Sequence, residues 1–144
     1  KSPRRESFAM DEAVQRTVKR WLAKAANDLR TAETMISVMP PVTDTACFHA
    51  QQCMEKGLKA YLTAVDRHVE RTHHLPRLVE LCAEQNAVFE QLVSAALELT
   101  DYAVQGRYPD DWREIPVDEA KAAVERAKEA MTLVAGELEK RNHE

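Results

Sequence analysis

At 144 residues the chain is long enough to fold as one domain around a substantial core. Apolar residues make up 44%, there are only three Gly, and Ala, Leu, Glu and Lys dominate, which favours an all-helical protein over a β-rich one. A net charge of −4, from 24 acids and 20 bases, argues against non-specific coating of DNA and leaves room for a local basic face.

No apolar run reaches membrane-spanning length and no signal-peptide pattern is present, so the expected location is the cytoplasm, with no membrane partner. Cys47, Cys53 and Cys82 have neither zinc spacing nor a Cys-x-x-Cys pair and fall in apolar patterns, so they are expected to be buried free thiols. Residues 1–9, beginning Lys1-Ser2-Pro3-Arg4-Arg5, read as a flexible basic tail, and residues 10–144 as a single domain.

The first predicted helix runs from about Asp11 to Val38. Val14, Val18, Trp21, Leu22, Ala25, Leu29, Ala32 and Ile36 recur in steps of three and four and draw one apolar stripe. Pro40-Pro41 ends it, because proline has no amide proton and restricts the residue before it. Thr43 or Asp44 would cap a second helix reaching to about Arg67.

That second helix has two inward faces. A large one holds Cys47, Met54, Leu58, Tyr61, Leu62 and Val65; a small one holds Ala46, Cys53, Gly57, Ala60 and Ala64. A helical Gly costs about 1 kcal/mol relative to Ala, so Gly57 suggests the close approach of another backbone. A helix buried on both sides belongs at the centre of a bundle. Its remaining edge, His49, Gln52, Lys56 and Lys59, is expected to face solvent.

A linker over about His68–His74 follows, then a short helix with Pro76 in its first turn and Leu75, Leu78, Val79 and Cys82 inward. A fourth helix is expected from about Ala87 to Val104, burying Phe89, Leu92, Val93, Ala96, Leu99 and Ala103. The last, capped by Asp118, is seamed by Ala120, Val124, Ala127, Met131, Val134 and Leu138. Its first turn is acidic and its last basic, as the helix dipole favours. The pattern as a whole is an up-and-down bundle of about five helices.

Between the last two helices lies Gly106-Arg107-Tyr108-Pro109-Asp110-Asp111-Trp112. Gly and Pro explain the break, but a connector needs no arginine, paired aromatics and acids. Two readings fit. In one, Tyr108 and Trp112 close the end of the bundle and Arg107 pairs with Asp110 or Asp111. In the other the loop, with Lys56 and Lys59, holds an anionic nucleotide: Arg107 offers a planar fork to phosphate, the lysines point charges, and the rings a stacking surface.

Other chemistries find less support. The histidines lack the helical spacing of a metal site, so no metal or cofactor is expected. Three scattered Gly make no phosphate loop, and no serine lies in a nucleophile elbow. Arg67 and His73, with five residues between them, match a spacing in which His moves a proton and Arg holds a scissile phosphate; a charged linker is the plainer account.

Trp21 and Ala25 through Asp28-Leu29, the run from Ala46-Cys47-Phe48-His49-Ala50-Gln51-Gln52 to Glu55-Lys56-Gly57-Leu58-Lys59-Ala60-Tyr61-Leu62, then Thr72-His73-His74-Leu75, Tyr102 and Arg107-Tyr108-Pro109-Asp110 together resemble the HEPN (higher eukaryotes and prokaryotes nucleotide-binding) domain family over about Trp21–Leu138. The resemblance implies a helical bundle that dimerises, acting with a minimal nucleotidyltransferase in a toxin–antitoxin type pair. Its ligand would be a nucleotide or RNA, held at Lys56, Lys59, Arg107, Tyr108 and Asp110, with no catalytic residue assigned. Some relatives are metal-independent ribonucleases with an Arg-x(4–6)-His motif near the start of the last helical region; here no His follows Arg107 at that distance. An RNA-cleaving toxin and a purely structural partner subunit are the alternatives. His74 stands where relatives often carry Asp, which predicts a weaker helix cap.

Overall fold

The computed structural model describes the backbone of residues 3–104, 109–111 and 113–142, with side chains for all of these except residues 3–11 and 111. Its α-helices are α1 (Pro3–Ser37), α2 (Thr43–Ala64), α3 (Leu75–Gln85), α4 (Val93–Leu99) and α5 (Val117–Asn142). Among the described residues there is no strand, so the all-helical bundle expected from composition and periodicity is borne out. No helix among them is long and apolar enough to cross a membrane.

Helix α2 is the hub: thirteen of its 22 residues are buried. Its small face meets α5, where a Cβ added to Gly57 would come within 2.7 Å of the Met131 sulfur and 3.8 Å of a Val134 methyl. The close neighbour is thus a flexible thioether, not the backbone that the glycine suggested. The large face packs on the other side, with the Cys82 thiol donating to the Leu58 carbonyl (3.6 Å) and the Tyr61 and Phe89 rings 4.4 Å apart. Helix α1 lies antiparallel along α2, bringing Trp21 beside Lys59 and Asp28 beside His49 and Lys56.

Helix boundaries differ from expectation where local capping decides them. The backbone of α1 begins at Pro3, earlier than Asp11. Val42, not Thr43 or Asp44, precedes α2, and no side chain caps it. The helix stops at Ala64 because Asp66 adopts φ 59°, and the Arg67 and Asp66 amides then close on the Leu62 and Thr63 carbonyls. This double closure is a Schellman stop, with Asp in place of the usual Gly. Likewise His74 makes no side-chain cap on α3; the Leu75 amide donates instead to the Thr100 hydroxyl at 2.9 Å.

The helix expected over Ala87–Val104 is broken into a 3₁₀ segment (Ala87–Leu92), α4 and a second 3₁₀ segment (Thr100–Ala103). The buried residues explain why. Phe89, Leu92, Ala95 or Ala96, Leu99 and Tyr102 follow a near three-residue repeat, which suits 3₁₀ geometry and leaves Val93, expected inward, 45% exposed.

Up–down alternation runs from α1 to α2 and from α3 to α5. Between α2 and α3 the linker doubles back, so these two helices run parallel, with Gln51 beside His73 at one end and Arg67 beside Glu84 at the other.

All three cysteines are buried and free, as expected. Burial pushes the Cys47 thiol up to about 11 and those of Cys53 and Cys82 up to about 12. Because the thiolate is the reactive form, the native protein should leave Ellman's reagent unreacted at pH 8 and release three equivalents only after denaturation. Rapid reaction of any of them in the native state would contradict this packing.

Candidate functional site

A polar arc interrupts the apolar surface of α2, and every charge in it is answered by a neighbour. Glu55, only 3% exposed, accepts from Lys59 Nζ at 2.9 Å, from His73 Nδ1 at 2.9 Å and from Gln51 Nε2 at 3.2 Å. A carboxylate is acceptor-only, so the His73 tautomer must carry its proton on Nδ1, leaving Nε2 as the outer ring atom. Gln51, wholly buried, also donates to the His73 carbonyl (3.1 Å) and accepts from Gln52 (2.6 Å), which ties the returning linker to α2. The Lys59 ammonium lies 5.7 Å from the Trp21 ring centre, a cation–π contact on its remaining side.

Farther round the arc, the buried carboxylate of Asp28 on α1 accepts from His49 Nδ1 (2.8 Å) and Lys56 Nζ (2.6 Å). The same acceptor argument leaves His49 Nε2 as the outer nitrogen. Lys56 and His49 are half-buried, with side chains 22% and 28% exposed. Three donors on an ammonium and one bond drawn to Asp28 leave Lys56 two N–H groups for a ligand. Among the described residues no buried side-chain nitrogen or oxygen lacks a partner.

A second cluster anchors the loop between α4 and α5. The Tyr102 hydroxyl donates to Glu119 Oε2, and Arg113 forks onto both Glu119 oxygens at 3.1 and 2.6 Å. Glu119 sits in the first turn of α5, so one carboxylate holds both ends of the loop. The Arg113 guanidinium and then the Tyr102 hydroxyl keep the Glu119 carboxyl below its usual range, while burial and the bond to Glu119 push the Tyr102 phenol up. Tyr102, Glu119 and Arg113 all act on the Cys47 thiol, which sets the anchor near the N-terminal part of α2.

These positions correct part of the sequence reading. Lys59 is not on a solvent edge; it is 6% exposed and spoken for by Glu55 and Trp21. Helical periodicity alone could not separate it from Lys56, because the two stand three residues apart on one face of α2 and only the Trp21 ring and the buried Glu55 carboxylate cover Lys59. Asp110 is exposed in a 3₁₀ turn, Pro109–Asp111. Arg107, Tyr108 and Trp112 lie outside the described residues. The Arg67/His73 pair is split: Arg67 bonds Glu84 at the C-terminal end of α3 (3.2 Å), while His73 lies just before its N-terminus, about 15 Å away at 1.5 Å per residue. Sequence reasoning missed Asp28, Glu55, Arg113 and Glu119 as determinants. The Glu55–Lys59 spacing of four was the available signal, but it reads equally well as a solvated pair.

A family model described as HEPN domain matches residues 18–140. The chain belongs to the HEPN domain family. The crystal structure of TT1696 from Thermus thermophilus superposes with a TM-score of 0.72 at 30% identity, over 83% of this chain and 96% of that one. An archaeal HEPN homologue, ST0689, gives 0.66 at 25% identity with the same two coverages. No curated protein sequence matches the chain. The HEPN membership covers α2 with its polar arc, the loop anchor and most of α5.

Proposed function

We propose that this HEPN domain protein is a nucleotide- or RNA-binding subunit acting with a minimal nucleotidyltransferase in a toxin–antitoxin type pair, and that it dimerises. The observation that carries the binding half is the Asp28–His49–Lys56 group: a half-buried ammonium oriented by one carboxylate, with donors to spare beside a second outward ring nitrogen. Lys56 would hold a phosphate, Arg107 would close on it from the loop, Tyr108 would stack on the base, and Asp110 would accept from a ribose hydroxyl. Lys59 has a supporting part, keeping Trp21 and Glu55 in place beneath the site.

Lys56 lies about 13 Å along α2 and half a turn round it from Cys47, at whose level the loop is anchored, so the Arg107→Ala variant tests the loop's part separately from that of Lys56. The separation of Arg67 from His73 is a reason to prefer a binding role over RNA cleavage by that pair.

Calorimetry with ATP, GTP and a short RNA is the test. Lys56→Ala and Arg107→Ala are each expected to weaken binding by about 1–3 kcal/mol, as loss of a charged hydrogen bond would. Absence of heat with all three ligands would sink the binding half. Cleavage of tRNA by the purified wild type, abolished by His73→Ala, would favour the ribonuclease alternative. The partner half depends on whether a nucleotidyltransferase encoded beside this chain co-purifies with it.

A further inference from the structure

Ion pairing is unevenly shared among the cations of this chain. Lys56, Lys59, Arg67, Arg77, Arg113, Arg126, Lys128 and Lys140 each face a carboxylate. Arg16, Lys19, Arg20, Lys24 and Arg30, all on α1 and all exposed, have neither an ion pair nor a side-chain hydrogen bond among the described residues. At 100° per residue they fall within an arc of about 140°, opposite the apolar stripe, over about 21 Å of helix. Of the other acids of α1, Asp28 is engaged by His49 and Lys56 and Glu33 by Lys128, while Glu12, exposed four residues before Arg16 on the same face, offsets one of the five charges at most.

Arg16, Arg20 and Lys24 stand at successive four-residue steps, so like charges are stacked along the helix, which weakens it. The stack makes this face locally positive in a chain of net charge −4, and an anion laid along it would relieve the repulsion. The small exposed residues on this side, Ala23, Ala26 and Asn27, offer no aromatic or large aliphatic anchor for a bilayer or an amphipathic helix. What fits is a dense, regular line of charge.

We infer that the outer face of α1 binds a nucleic-acid phosphodiester backbone through Arg16, Lys19, Arg20, Lys24 and Arg30. This inference rests on the reading of the chain as a nucleotide- or RNA-binding module and adds a surface separate from the Lys56 site. Five phosphate contacts imply a log–log salt slope of about −3.5 on a single strand and about −4.5 on a duplex.

Fluorescence anisotropy of the full chain with labelled single-stranded RNA, duplex RNA and duplex DNA tests it, and tells which backbone is preferred. Arg16→Gln/Arg20→Gln/Lys24→Gln should lower affinity at least tenfold at low salt and make the slope shallower by about 2–3. Lys121→Gln, an exposed cation on α5, should change neither. Since all these positions are exposed, circular dichroism should stay that of the wild type; if the triple variant misfolds, Lys19→Gln/Arg30→Gln must show a smaller loss of the same kind. Unchanged oligonucleotide binding in these variants overturns the inference, as does binding to vesicles of phosphatidylserine and phosphatidylcholine without binding to any oligonucleotide. Calorimetry with ATP keeps the two readings apart. Heat retained by the triple variant and lost in Lys56→Ala, together with weakened oligonucleotide binding by the triple variant, supports both. Lack of heat alongside stripe-dependent oligonucleotide binding removes the Lys56 pocket and keeps the α1 surface.

Discussion

Glu55→Ala is expected to destabilise the protein by about 3–5 kcal/mol, the cost of leaving a buried charge without its partner. Lys59 would keep an ammonium that is 6% exposed and lose its only carboxylate, while His73 and Gln51 lose the acceptor that pins the linker to α2. Lys59→Met should cost less, because a thioether can follow the lysine stem past Trp21 and Glu55 retains two other donors. Glu55→Gln should fall between, keeping hydrogen bonds but no countercharge. Urea unfolding of the three variants gives the order directly. For a domain of this size the midpoint of thermal unfolding should drop by roughly 10 °C in Glu55→Ala. A loss under about 1 kcal/mol would mean that water reaches the pair, since that is the range of exposed ion pairs.

Phe89→Ala should be comparably damaging, at about 3–5 kcal/mol. The ring is fully buried against Tyr61, and it is the main anchor of a 3₁₀ segment whose own hydrogen-bond geometry is poor. Two consequences are expected together: a lower urea midpoint, and faster amide exchange over residues 86–92 than elsewhere. Leu97→Ala, at a position 62% exposed on α4, should change stability little and serves as the control. Equal effects from the two substitutions would show that the 87–103 region is not seated on α2 as described.

The bundle was legible in the sequence because burial of α1, α2 and α5 rests on long repeats that periodicity detects well. Between Ala87 and Val104 the apolar spacing tightens to three, and a reader expecting 3.6 places Val93 inside, where the structure exposes it. Gly57 signalled tight packing correctly, yet its neighbour is set by α5, 74 positions later, and no local pattern names Met131. The polar arc was half legible. His49, Gln52 and Lys56 emerge from helical spacing, whereas Lys59 became a core residue only because Trp21 and Glu55 converge on it from different elements. The crowding of an arginine, two aromatics and two acids drew attention to the Arg107 loop; nothing in its spacing pointed to Glu119, twelve residues on, as the group that fastens its base.

The packing of α5 on the small face of α2 has a kinetic consequence. Helices α1 and α2 meet across a connector of five residues, 38–42, while Gly57 and Met131 meet only after 73 residues of intervening chain have been gathered in. Closing the longer loop costs about 2 kcal/mol more by polymer entropy. The expected order of folding is therefore the hairpin of the first two helices early and α5 last, which pulsed hydrogen exchange would check by earlier amide protection in α1 and α2 than in α5. Until α5 docks, the small-residue flank of α2 stays wet, so on this order the window in which the chain is open to aggregation or capture closes only once α5 has been made.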